Sequence, residues 1–273
     1  MKKQRTMEVH AVADYESVRV FWKGKPMSSE ADLDLALDNF RILFAYNSGR
    51  IENSEVEYHD TREIFENGRV LNYTGSPRAL FEQQNQKLCY EFLRKPIVEK
   101  APLSVALICE IHGILTSGTY DERRYIVNEE RPGQFKKHDY VTGRQEGGYP
   151  PEGVPAALEE LVAELNETSA GDLLKAAAYL HLRFEYIHPF ADGNGRVGRT
   201  LTNYFLMTHG EPPLIVYDED KKQYYAALEA YDTGEDIMPM VEFLREQTVK
   251  TWEKAVLRAE GAPPAKRKSL QDM

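Results

Sequence analysis

Twelve consecutive residues, His188-Pro189-Phe190-Ala191-Asp192-Gly193-Asn194-Gly195-Arg196-Val197-Gly198-Arg199, bring together an imidazole, a carboxylate, a glycine-bracketed amide and two guanidinium groups. An imidazole titrates close to neutral pH and can accept a proton there. The glycines permit positive φ and close approach of the backbone, and a helix that starts beside them points free N–H groups at whatever binds. Such a terminus attracts anions, and Arg196 and Arg199 lie one turn apart beside it. The chemistry this favours is the holding of phosphates.

Helices must present this turn. Before it, Leu173, Ala177, Leu180, Phe184 and Ile187 recur at steps of four and three, the period of a helix with one buried face. Pro189 ends that helix and is expected to push His188 toward an extended backbone. After it, Val197, Leu201, Tyr204 and Phe205 restart the helical period. The motif is therefore expected as a tight loop between two core helices, opening into the second.

The 273 residues suffice for one large core or two modest ones. A formal net charge of −10 argues against non-specific nucleic-acid binding, whose affinity comes from neutralising phosphates. Two cysteines, Cys89 and Cys109, make no disulfide framework. The basic start lacks an apolar h-region, and no run reaches membrane-span length. These features predict a soluble, cytoplasmic protein with no nucleic-acid or membrane partner.

Elsewhere the chain reads as mostly α. Val18 to Trp22 suggests a short strand or packed arm. Leu33, Leu37, Phe40 and Phe44 predict a helix capped by Ser28 or Ser29 and running to a stop at Asn53. Further helices are expected from Pro77 to Arg94, from about Pro102 through Leu115, along Val154 to Leu165, over 223–231 and over 240–252. Residues 118–151 are the least helical, with a short hairpin expected over Gln134 to Thr142. The tail beyond Gly261 is expected to fray.

Gly193-Asn194-Gly195 follows a helix rather than a strand, which excludes a dinucleotide fingerprint, and no P-loop pattern occurs. The full run HPFADGNGRVGR resembles the signature His-Pro-Phe-x-(Asp/Glu)-Gly-Asn-Gly-Arg-x-x-Arg of the Fic family at every defined position. The resemblance covers roughly Pro102 to Phe243. It implies a mainly α fold, a Fic-type helical bundle with a small β-hairpin flap. It also implies transfer of AMP from ATP to a Ser, Thr or Tyr hydroxyl of a target protein, with release of pyrophosphate.

The resemblance gives each residue a role. His188 would be the general base, and Asp192 the ligand of Mg²⁺. Gly193, Asn194 and Gly195 would line an anion hole, with Arg196 and Arg199 on the β- and γ-phosphates. Phe135 to Gly143 would be the flap, with Lys136 where relatives usually carry Arg and with Thr142 and Gly143 facing the nucleotide. Tyr225 would lie against the adenine, near Asp232. His181 and Glu185 share a helix face and, lacking a third ligand, read as a packed or surface pair rather than a metal site.

Ser48-Gly49-Arg50-Ile51-Glu52-Asn53 resembles the family's inhibitory helix, (Ser/Thr)-x-x-x-Glu-(Gly/Asn). Ser48 and Glu52 share a face, and a carboxylate on Arg199 would deprive the γ-phosphate of its partner. The expected organisation is an N-terminal helical region, 1–100, carrying the inhibitory helix at about 30–53. A catalytic core, 101–246, and a C-terminal helix end and tail, 247–273, would follow. The expected partners are ATP and a hydroxyl-bearing protein, and a homodimer is compatible with this reading. Alternatives are removal of AMP, another nucleotide donor, or a nucleotide-sensing interaction module without activity.

Overall fold

The computed structural model describes residues 13–140, 148–167 and 171–261. They contain eleven α-helices and no strand. The N-terminal helices are α1 (Tyr15–Lys23), α2 (Glu30–Ala36), α3 (Asp38–Glu52), α4 (Tyr58–Asn67) and α5 (Pro77–Val98). The rest are α6 (Val105–Leu115), α7 (Val154–Asn166), α8 (Leu173–Ile187), α9 (Asn194–Thr208), α10 (Lys221–Gly234) and α11 (Met238–Ala259).

The antiparallel pair α8–α9 is the centre of the bundle. The sequence-derived stripes are its core: Ala177, Leu180, Phe184 and Ile187 on α8 and Val197, Leu201, Tyr204 and Phe205 on α9 are buried. α7 adds Val154, Leu158, Leu161 and Leu165, and α6 packs on both α5 and α9. α11 runs through residue 246 without a break and carries α1 against its side. The N-terminal helices are therefore part of the same core, with α3 lying on α5 and α9.

Four local expectations change. Residues 18–22 are helical rather than extended: a capping box between Asp14 and Ser17 starts α1, and Val18 and Trp22 bury one turn apart. The β-branched residues there misled because capping and tertiary packing outweigh propensity. The helix expected over 29–53 divides at Leu37 (φ −105°, ψ 10°), although Ser29 caps its start and Asn53 ends it as anticipated. The apolar stripe hides the break because Leu33, Leu37 and Phe40 reach one core from both sides of it.

α5 continues past Pro96 to Val98. In the last turn the missing proline N–H costs only one end bond, and the Pro96 carbonyl accepts from Ala101 N–H at 2.9 Å. The described part of the expected hairpin, residues 134–140, is irregular, and residues 141–147 lie outside the described residues. Upstream of it a single π-type turn spans Arg123–Val127.

Candidate active site

His188 is not extended. It is the left-handed cap of α8 (φ 49°, ψ 62°), and its N–H reaches the Phe184 carbonyl at 3.0 Å. That closes α8 and turns the chain into Pro189, whose carbonyl accepts from Lys136 N–H at 2.9 Å. Asn194 then locks the loop: its Oδ1 accepts from Phe190 N–H at 3.0 Å and its Nδ2 donates to the Phe190 carbonyl at 2.8 Å. Asn194 therefore spends its amide on the scaffold, and only its backbone faces the helix start.

Gly193 takes φ 81° just ahead of α9, as a tight turn requires. Gly195 has ordinary helical geometry. It must be glycine for room, since a Cβ there would stand 2.3 Å from Glu52 Oε1 and 3.0 Å from Arg199 Nη1. The first N–H groups of α9 have no carbonyl partner within the helix and open into a cleft of about 1090 Å³. His188, Asp192, Arg196, Glu52, Tyr225 and Asp232 also line this cleft.

Burial, with the Lys136 ammonium adding to it, pulls His188 down to about 4, while a hydrogen bond to the Glu185 carbonyl and the carboxylates of Glu52 and Asp192 work the other way. The imidazole is therefore neutral at physiological pH and able to take a proton. The flap-side Lys136 is buried, and its Nζ has no hydrogen-bond partner among the described residues.

Arg199 is 2% exposed and fully engaged. Its Nε donates to Ser48 Oγ at 3.0 Å, and Nη2 donates to the Ser48 carbonyl at 2.9 Å and to Glu52 Oε1 at 2.8 Å. The structure thus brings the upstream helix onto the second motif arginine. Asn53 goes elsewhere, donating to Glu82 Oε2 at 3.1 Å.

Three contributors to the site had been given no role from the sequence. Arg78 on α5 donates through Nε to Glu82 at 2.9 Å and through Nη2 to Asp192 Oδ2 at 2.7 Å. Glu82, itself buried, also pairs with Arg196 at 3.4 Å. Arg78 and Glu82 are four apart and share a helix face, but nothing local shows that this face meets the motif.

His112 is the third contributor. It stacks on Phe190 at 3.7 Å, and its Nδ1 accepts from Gly133 N–H at 2.8 Å. Its Nε2 therefore carries the hydrogen directed at the Asp192 carbonyl, 3.1 Å away.

His181 and Glu185 share a face of α8 but have different surroundings. His181 lies between Thr202 Oγ1 at 3.1 Å and the Tyr224 hydroxyl at 2.8 Å. Glu185 lines the cleft, with its Oε1 sequestered and without a hydrogen-bond partner among the described residues. Tyr225 and Asp232 stand on the α10 wall of the cleft. Thr142 and Gly143 lie outside the described residues.

Residues 102–206 match the Fic/DOC family model. Protein adenylyltransferase Fic of Drosophila persimilis is 29% identical over 215 residues, covering 76% of this chain and 39% of that protein. Protein adenylyltransferase fic-1 of Caenorhabditis elegans is 29% identical over 213 residues, 74% of this chain and 39% of that one. The chain thus spans about two fifths of the length of these curated relatives.

Among solved structures, a Fic domain containing signaling protein from Bacteroides thetaiotaomicron superposes with a TM-score of 0.79 at 24% identity, covering 93% of this chain and 100% of that one. Fic-1, residues 134–508, from C. elegans gives 0.74 at 25% identity, covering 90% and 71%. The helical bundle is the fold these structures share with this chain.

Proposed function

Because this chain belongs to the Fic/DOC family, we propose that it transfers the AMP part of ATP to a hydroxyl of a protein and is restrained at rest by Glu52. The observation that carries this reading is one cleft holding both a neutral imidazole and the open first turn of a helix. His188 takes the proton of the incoming Ser, Thr or Tyr hydroxyl. The hydroxyl oxygen bonds to the α-phosphorus, the bond to the bridging oxygen breaks, and pyrophosphate leaves.

The N–H groups of Asn194, Gly195 and Arg196 face the charge that develops on the α-phosphate. Arg196 and Arg199 hold the outer phosphates, so the Glu52 contact to Arg199 competes with the γ-phosphate. Tyr225 and Asp232 on the α10 wall border the space for the base, and Thr142 and Gly143 would meet the nucleotide from the flap.

Asp192 is the residue that would hold Mg²⁺. Its carboxylate already faces a cation in the cleft, the Arg78 guanidinium at 2.7 Å. No cluster of three or more His, Cys, Asp or Glu fit for a metal occurs among the described residues. A single carboxylate suits an ion that keeps waters and substrate phosphates as its other ligands. Bound there, the ion would offset phosphate charge. No described helix is long and apolar enough to cross a membrane. Free thiols at Cys89 and Cys109 fit a reducing compartment, so the proposed location is the cytoplasm.

The test is incorporation of label from ATP carrying it on the α-phosphate. Glu52→Gly is expected to label itself or a target well above wild type, and adding His188→Ala to remove at least about 100-fold of that rate. ATP labelled on the γ-phosphate should transfer nothing. Equal labelling of Glu52→Gly and wild type sinks the restraint, and full activity without His188 sinks the base. Labelled UTP and CTP in the same assay read the donor, and an AMP-bearing target tests removal.

A further inference from the structure

Arg78 sits half-exposed at the second position of α5, behind the Ser76 cap, at 40% side-chain exposure. Its planar fork is split between two carboxylates from different parts of the chain, Glu82 through Nε and Asp192 through Nη2. Glu82 is not free to follow a moving partner. It is 2% exposed and held also by Asn53 and Arg196. Asp192 is tied too, its Oδ1 accepting from its own Gly193 N–H at 2.8 Å. Arg78 Nη2 thus occupies the Oδ2 oxygen on the cleft side.

We propose that Arg78 is the resident counter-ion of Asp192, a guanidinium that must give up this carboxylate before a divalent cation can take it. Glu82 is the pivot, keeping the Nε bond while Nη2 swings away. Among the described residues, the other cation within 4 Å of the Asp192 carboxylate is Arg196, 3.9 Å off and buried, so it cannot make way or take over. Arg78 is therefore a positioning residue: it sets the affinity of the site for metal without belonging to the reaction.

The inference rests on Asp192 as the metal ligand, and the link of Glu82 to Asn53 joins this contact to the end of the restraining helix. Resting enzyme then carries two internal ion pairs at its phosphate site: a carboxylate of the chain on Arg199 and a guanidinium of the chain on Asp192. Each stands where part of the magnesium nucleotide would be, with the charge that part would bring.

The experiment titrates Mn²⁺ at fixed ADP and reads free Mn²⁺ by electron paramagnetic resonance, for wild type, Arg78→Gln, Arg78→Lys and Asp192→Asn. ADP lacks the γ-phosphate, so Glu52 does not interfere. Metal-free ADP binding is measured alongside by calorimetry. Arg78→Gln is expected to bind Mn²⁺ about tenfold tighter, the scale of one charge-assisted hydrogen bond, with metal-free ADP binding within about twofold of wild type. Arg78→Lys, which keeps a cation, should fall back toward wild type.

Unchanged Mn²⁺ affinity in Arg78→Gln, with Asp192→Asn abolishing binding, overturns the counter-ion and leaves the metal ligand standing. Weaker metal-free ADP binding in Arg78→Gln overturns it in favour of a phosphate contact. Wild-type Mn²⁺ affinity in Asp192→Asn removes the metal ligand itself, and the counter-ion with it.

Discussion

Arg196 and Arg199 lie one turn apart on α9, each 2% exposed and each facing a carboxylate from the N-terminal helices, yet the two carboxylates live differently. Glu82 comes from within α5 and is 2% exposed. Glu52 comes from the last residue of α3, lines the cleft and is 36% exposed. A buried partner cannot leave without stranding a charge, and that costs several kcal/mol. A half-exposed one recovers its hydration on leaving, and the space it vacates admits water to the arginine behind it. One pair is scaffold and the other is a contact that a phosphate can replace.

Truncating each acid in turn is the strongest way to break that comparison. Glu82→Ala should lose about 3–5 kcal/mol of stability, because Arg196 and Arg78 both lose a partner inside the protein. Glu52→Ala should lose no more than about 1 kcal/mol, in the range of solvated pairs. Urea unfolding of the two variants measures both. Comparable losses would mean that Glu52 is scaffold as well, and the restraint on Arg199 would need another basis.

Both regions also share a device that acid should break at once. A neutral histidine lies behind each arginine: His112 on α6, held down to about 3 by burial with Arg196 adding to it, and His181 on α8, held down to about 3 by burial with Arg199 adding to it. His188, at about 4, is a third. Between these values and the ordinary 6.5 of an unfolded histidine, the unfolded chain binds more protons, so stability falls as pH falls.

Glu185 works against them. Burial, with Glu52 and Asp232 adding to it and Arg199 opposing, pushes it up to about 8, so from 4.5 to 8 the folded chain holds a proton that the unfolded one lacks. The expected net from pH 6.5 to 4.5 is three protons against one, and each excess proton removes up to about 1.4 kcal/mol per pH unit. Unfolding at a series of pH values checks the slope. A profile flat from 6.5 to 4.5 would show that the histidines are not kept neutral.

The Arg199 region was the more legible of the two. Ser48 and Glu52 are four apart on one stretch, and the pattern could be matched to the motif before any fold was known. The Arg196 region depends on α5 crossing the loop, and residue spacing within α5 carries no record of what its face meets. The same divide runs through the fold. The stripes of α7, α8 and α9 were readable because each buries against the same core. The start of α1, the division at Leu37 and the helical run through Pro96 were not, since capping and tertiary contact decide them. Of the two reasons the sequence offered for the glycines, Gly193 uses the positive φ and Gly195 the close approach, leaving room for Glu52 and Arg199.

Glu185 marks the last difference between the two regions, because nothing on the Arg196 side corresponds to it. A carboxyl with one sequestered oxygen, unpartnered among the described residues, stands beside Gly198, where a Cβ would meet Oε1 at 2.5 Å, next to the arginine that Glu52 holds. Its raised affinity for a proton means that the folded chain resists ionising it. Replacement by the neutral isostere removes that resistance. Glu185→Gln should therefore come nearest to wild type at pH 4.5, where the folded carboxyl is protonated and the unfolded one still half so. Its advantage should widen as pH rises to about 8 and then hold constant, because beyond that value the wild-type group is ionised in both states. The thermal midpoint of the pair at pH 4.5, 6.5 and 8.5 is the measurement, with a difference of up to about 10 °C expected at the top of the range. A constant offset across all three would mean that Glu185 ionises as an ordinary solvated acid, and the Arg199 region would then be as plainly charged as its neighbour.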